Sequence, residues 1–184
     1  MERTTYHLEE TTSLAREFVK DLAPHKTGAT VVALYGDLGS GKTTFVQAAA
    51  QALGIDVTVI SPTFVIERVY PIRNSSGGGT GVTYKKRNRL RLLSANNASK
   101  MEISNGAGKF ANQKFDHFIH IDCYRIDASK EIALLGWDEK VKNPRNLIFV
   151  EWAERIEELL PPKTMRIYFE FVDESKRKIV IQNC

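Results

Sequence analysis

Gly36-Asp37-Leu38-Gly39-Ser40-Gly41-Lys42-Thr43 fills the pattern G-x-x-x-x-G-K-[ST] at every specified position. Each residue type has a physical task there. Glycines tolerate positive φ and lack a Cβ, so successive backbone N–H groups can curl around a phosphate. A helix opening behind the loop adds its positive end. Lys42 supplies a mobile cation for the β- and γ-phosphates, and the Thr43 hydroxyl is placed to ligate Mg²⁺. Asp37, Leu38, Gly39, Ser40, Gly41, Lys42, Thr43 and Thr44 are therefore the candidate nucleotide-binding positions.

Such a loop needs a second carboxylate near the metal, carried at the C-terminal end of a buried strand. Asn146-Leu147-Ile148-Phe149-Val150-Glu151 has that form, an apolar run ending in an acid. Glu151 would hold Mg²⁺ directly or through water; a surface Glu capping the following helix is the plainer alternative. Asp122 ends a second run, His117-Phe118-Ile119-His120-Ile121. It would orient the attacking water or a water on the metal, unless it only pairs with Arg125. The sequence leaves open which acid ligates and which positions water.

The surrounding elements are legible as alternating helices and strands. His7–Ala23 carries Leu8, Leu14, Ala15, Phe18, Val19 and Leu22 at helical spacing, with Thr11 or Thr12 as the expected N-cap. Thr30–Tyr35 reads as a buried strand, and Thr43–Leu53 as a helix closed by Gly54. Phe64–Tyr70 reads as a strand ended with the help of Pro71, and His117–Ile121 and Leu147–Val150 as two more. A helix is expected over Ala153–Leu160, stopped by Pro161-Pro162. Met165–Val172 and Lys178–Ile181 alternate at period two around Asp173-Glu174-Ser175, a terminal hairpin. The expectation is an α/β fold, a P-loop NTPase-like three-layer sandwich with a mostly parallel central sheet and a C-terminal antiparallel hairpin.

A chain of 184 residues, 42% hydrophobic and 26% charged, suits one soluble domain with a real core. The net charge of +4 is unevenly spread. Residues 73–114 hold nine Lys and Arg against one acid, Glu102, whereas the rest holds seventeen against twenty-one, so the segment carries +8 and the remainder −4. That segment is also rich in Gly, Ser and Asn, as in Asn74-Ser75-Ser76-Gly77-Gly78-Gly79, which argues for a flexible basic insertion in a single domain spanning 1–184. A basic isoelectric point is thus no argument for nucleic-acid binding by the whole protein. Two cysteines, Cys123 and Cys184, are too few for a disulfide framework. No apolar run approaches the roughly 18 residues of a membrane span, and Met1–Tyr6 has no signal-peptide character. A reduced, cytoplasmic protein is expected.

Four separated stretches stand in a specific order. The glycine loop is followed by Ser61-Pro62-Thr63-Phe64, by His120-Ile121-Asp122-Cys123-Tyr124-Arg125-Ile126, and by Ile148-Phe149-Val150-Glu151-Trp152-Ala153-Glu154-Arg155-Ile156. In that order the chain resembles the TsaE (YjeE) family over almost its whole length outside the insertion. The resemblance implies a P-loop ATPase of tRNA threonylcarbamoyladenosine biosynthesis that uses ATP and Mg²⁺. It also implies that activity depends on the TsaB–TsaD pair, which builds the modification on adenosine 37, with tRNA met only through that complex and no membrane involved. ATP hydrolysis would reset the complex between turnovers. By position, Lys42, Asp122 and Glu151 would be the catalytic residues, and Thr43 and Glu151 the metal ligands. Thr63 would lie in a loop beside the γ-phosphate, stiffened by Pro62, or serve ordinary turn chemistry. Trp152 would lie near the nucleotide or be a buried core residue. Cys123 stands where the family usually has leucine, which suggests a buried structural thiol.

Two other function classes compete. A small-molecule kinase also uses such a loop, and Arg87, Arg89 and Arg91 would mimic a basic lid, but no acceptor site is suggested. A nucleic-acid-binding module would rest on Tyr84–Arg91 alone, where a solvated charged loop is the commoner outcome. A GTPase is disfavoured because no N-K-x-D base-reading element occurs; Asn143-Pro144-Arg145-Asn146 does not supply one.

Overall fold

A computed structural model of the chain describes residues 1–55, 66–72, 114–126 and 130–182. Along it run β1 (Glu2–Thr5), α1 (Leu8–Asp21), β2 (Thr30–Tyr35), α2 (Lys42–Ala52), β3 (Glu67–Pro71) and β4 (His117–Asp122). Then follow α3 (Lys130–Ala133), α4 (Trp137–Lys142), β5 (Asn146–Glu151), a 3₁₀ segment (Ala153–Leu159), β6 (Met165–Phe171) and β7 (Arg177–Gln182). The strands form one sheet in the order β1-β7-β6-β2-β5-β4-β3. β6, β2, β5 and β4 are mutually parallel, whereas β7, β1 and β3 join antiparallel at the two edges. The expected α/β class, parallel centre and terminal hairpin are all present.

Period-two alternation divides the central strands between two apolar layers. Val32 and Leu34 of β2, Phe118 of β4, and Leu147 and Phe149 of β5 face α1 and α2. Val31 and Ala33, Ile119 and Ile121, and Ile148 and Val150 face the other way, against Ile132, Trp137, Ala153 and Ile156. The strands are apolar at nearly every position because both faces are covered. Phe45 of α2 is fully buried and meets Phe18 of α1 and Phe169 of β6 at centroid distances of 5.7 and 5.5 Å. Burial of a side chain this size contributes roughly 1.5–3 kcal/mol, so this aromatic contact is a main anchor of α2 against the sheet.

Several local expectations need correction. Helix α1 starts at Leu8 with His7 as its N-cap, not Thr11 or Thr12. Thr11 is used instead to tie the helix to β1, its hydroxyl lying 2.9 Å from that of Thr5, while Glu10 accepts the Tyr6 N–H at 2.9 Å. The Ala153–Leu160 helix is a 3₁₀ segment ending at Leu159, with extended φ at Ile156. β3 runs from Glu67, just after Ile66, which is left-handed at φ 66°; the expected strand start at Phe64 lies outside the described residues. Strand β1 and helices α3 and α4 were not anticipated: β1 is polar with only Thr5 buried, and the two helices are short.

The end of α2 is as expected. Gly54 donates its N–H to Gln51 O at 3.0 Å and Ile55 to Ala50 O at 3.1 Å, the paired bonds of a Schellman cap. Lys114, the last residue assigned to the insertion, belongs to the fold: its ammonium donates to Lys20 O and Leu22 O at the C-terminal end of α1. The remainder of the insertion, 73–113, lies outside the described residues, as do Thr63 and Cys184. Among the described residues no helix is long and apolar enough to cross a membrane.

Candidate functional site

The glycine loop occupies the turn between β2 and α2. Gly36, directly after β2, has φ 132°, and a Cβ there would stand 2.2 Å from Phe169 O of β6. Only glycine lets the loop leave the sheet so close to its neighbour strand. Gly41 is the N-cap of α2 with φ 105°, which turns the chain directly into the helix. Apart from the adjoining residues, no atom of the described residues lies within 4 Å of a Cβ built on Gly39 or Gly41. Asp37, Leu38 and Gly39 are exposed, Ser40 is buried, and Thr44 is half-buried in the first turn of α2.

Lys42 is only 4% exposed. Its Nζ donates to Gly36 O at 2.5 Å and to Asp37 O at 2.9 Å, and stands 4.0 Å from the centroid of the Trp152 ring. Burial holds the ammonium below its ordinary pKa, partly opposed by the negative charges of Glu151, Glu154, Asp122 and Asp37. The loop carbonyls and the indole thus offset part of the cost of withdrawing this cation from water.

Alternation explains why the acids meet this lysine. Phe118, His120 and Asp122 share one face of β4, and Leu147, Phe149 and Glu151 share the same face of β5, the one covered by α2. Parallel register sets Asp122 beside Glu151. Both are 2% exposed, so the reading of Glu151 as a surface helix cap is excluded. The Thr43 hydroxyl donates to Glu151 Oε2 at 2.7 Å. His120 Nε2 lies 2.7 Å from Glu151 Oε1. Asp122 Oδ1 accepts the Tyr124 N–H at 2.9 Å.

Trp152 is left-handed at φ 57°, a conformation costly for a bulky residue. It turns the chain just after Glu151, so that the indole lies beside Lys42 and 5.0 Å from the Tyr124 ring. Trp152 is half-buried at the site rather than sealed in the core. Cys123 is fully buried, and burial pushes its thiol up to about 12, so it is an inert packing residue.

Lys42, Thr43, Asp122, Glu151 and Trp152 are therefore gathered at one end of the parallel strands. His120 is the residue to which sequence reasoning assigned no role, although its place two before Asp122 puts it on the same strand face. A hydroxyl and a carboxylate 2.7 Å apart are hard oxygen donors that suit magnesium, which takes few protein ligands and completes its shell with phosphates and water. Among the described residues no group of three His, Cys, Asp or Glu is arranged to hold a metal ion by itself.

A strand, a glycine loop, a helix with Lys-Thr at its start and acids at the ends of the neighbouring strands define a P-loop nucleotide-binding fold. A family model described as "Threonylcarbamoyl adenosine biosynthesis protein TsaE" matches residues 5–82 and 105–179. The chain belongs to the TsaE family. It is 29% identical over 170 residues to a Rickettsia felis protein named tRNA threonylcarbamoyladenosine biosynthesis protein TsaE, covering 92% of this chain and 72% of that one. A Bacillus subtilis protein of the same name is 29% identical over 175 residues, covering 95% and 80%. The crystal structure of Bacillus subtilis YdiB superposes with a TM-score of 0.62 at 25% identity, covering 100% of this chain and 84% of that one. The stretch between the two matched parts, residues 83–104, falls inside the segment expected to be an insertion.

Proposed function

We propose that the protein binds ATP with magnesium at the Gly36–Thr44 loop and hydrolyses it as the ATPase component of the tRNA threonylcarbamoyladenosine machinery, acting with TsaB and TsaD. The observation that carries the reading is the 2.7 Å contact between Thr43 and the buried Glu151, directly behind the loop that holds Lys42. Lys42 would exchange the carbonyls of Gly36 and Asp37 for β- and γ-phosphate oxygens. Thr43 and Glu151 would hold the magnesium ion, which when bound would neutralise phosphate charge. Asp122, beside Glu151 in the sheet and kept from bulk solvent, would orient the attacking water. Thr63 would complete the site near the γ-phosphate, as the family resemblance implies.

The soluble, cytoplasmic setting and the indirect meeting with tRNA follow from the same reading, as does a single domain interrupted by the basic segment 73–114. The direct experiment is ATP hydrolysis by the purified chain, alone and with TsaB–TsaD. Slow basal turnover that rises with the partners is expected; magnesium-independent nucleotide binding with no hydrolysis in either mixture would overturn the proposal.

A further inference from the structure

His120 is fully buried on β4, the strand between β5 and the edge strand β3, and its ring meets the carboxylate at the end of β5. A carboxylate oxygen only accepts, so Nε2 carries the hydrogen in this bond. The other ring nitrogen, Nδ1, is buried with no hydrogen-bond partner among the described residues. A histidine placed only to satisfy itself in a core would have both nitrogens engaged, because an unpaired buried polar atom costs free energy. Here one nitrogen is spent on Glu151 and the other has no partner among the described residues.

The effect on Glu151 is specific. Its two oxygens are divided between two elements: Oε1 is held by His120 and Oε2 by the Thr43 hydroxyl on α2. With Oε1 fixed from β4, the carboxylate cannot rotate about its terminal bond without breaking a charge-assisted hydrogen bond at 2.7 Å. Oε2 is thereby kept facing the helix start. His120 and Glu151 are diagonal neighbours, since Asp122 is the residue paired with Glu151, and the ring spans that diagonal. A leucine or phenylalanine at 120 would fill the same volume against Phe118 and Phe149 but leave Oε1 buried and unpaired.

We propose that His120 is a positioning residue, fixing the Glu151 carboxylate through Oε1 so that Oε2 is presented to Thr43 and to a magnesium ion bound there. The inference rests on the magnesium–triphosphate reading of the site, and the test separates the two. Binding of a fluorescent ATP analogue to the full chain is titrated with MgCl₂ for the wild type, His120→Ala and His120→Gln. Loss of an outer hydrogen-bond partner of a metal ligand lowers metal affinity by about 10- to 100-fold, which is the expected effect of the alanine. Its metal-free nucleotide affinity should stay close to wild type, because the hydrogen bond that the ring makes is to Glu151 and not to the loop or Lys42. Glutamine, whose side-chain nitrogen reaches nearly the same point as Nε2, should recover most of the lost magnesium affinity.

Equal losses with and without magnesium, or a glutamine variant no better than alanine, would reduce His120 to a packing residue and overturn the proposal. Because alanine at this depth can unfold the sheet, the ¹⁵N spectrum of wild-type His120 provides a second reading. The Nε2-protonated tautomer is expected, with a shift when MgCl₂ and the analogue are added together; an Nδ1-protonated ring would refute the assignment. Should wild-type nucleotide binding itself be indifferent to magnesium, the reading of the site falls. Retained wild-type dependence in both variants removes His120 alone.

Discussion

Replacing Lys42 with alanine separates what the lysine does for the fold from what it does for a ligand. In the folded chain its ammonium has two carbonyl partners and an indole face, yet it is almost wholly withdrawn from water. Those contacts offset a desolvation cost instead of adding a large surplus, so the unfolding midpoint should move little. A bound triphosphate would instead lose one charge-assisted contact, about 1.5–3 kcal/mol, which is roughly ten- to hundredfold in affinity. A fluorescent-triphosphate titration alongside urea unfolding reads both quantities. Unchanged affinity in a folded variant would refute the assignment of Lys42 to phosphate. The same variant carries a pH signature. Burial holds the lysine below its ordinary value of 10.5, so just below that pH the unfolded chain binds more protons than the folded one, and wild-type stability should rise with pH through that window. Lys42→Ala should flatten this rise; an identical slope in the two proteins would mean that the buried ammonium is not strained by desolvation.

Thr43→Ala should weaken nucleotide binding more in magnesium than in its absence, because the hydroxyl serves the metal; equal losses in the two titrations would count against that role. Glu151→Gln should leave metal-free nucleotide binding close to wild type while slowing partner-stimulated phosphate release by tenfold or more, on the order expected for a group acting on transition-state charge; wild-type turnover would remove Glu151 from the catalytic residues. Gly36→Ala should destabilise the chain by more than about 2 kcal/mol, since φ is positive and the added methyl would meet Phe169 O at 2.2 Å; an unshifted urea midpoint would contradict the close approach of β6 to the loop. Deleting residues 75–112 across a short Gly-containing turn should spare ATP affinity, and because the stretch carries seven Lys and Arg against Glu102 it should take the net charge from +4 to −2. Loss of nucleotide binding in that variant would show that the segment carries part of the site.

The glycine loop, the strand before it and the helix after it were legible in the residues because each rests on a local rule. Glycine is needed where φ is positive, β-branched residues favour the strand, and the loop's Lys and Thr sit at fixed spacing. The same holds for the two strand-end acids and for the terminal hairpin, whose alternation is visible without any partner. What needed the tertiary structure was everything set by pairing between distant segments. The polar strand β1 exists only because β7 offers it an edge, and its register with Val180 and Ile179 has no signal in Glu2-Arg3-Thr4-Thr5. Thr11 looked like a cap and is instead a tie to Thr5, since a hydroxyl takes whichever partner the packed chain supplies. The division of labour around Glu151 is of the same kind. Sequence placed an acid at the end of an apolar run, but its burial, its bond to Thr43 and its bond to His120 depend on α2 covering one face of β5 and on β4 pairing alongside it. Local chemistry selects which residues can act; only the packed fold, which sets Asp122 beside Glu151 in parallel register and brings Thr43 to Glu151 across 108 residues of chain, decides which of them touch.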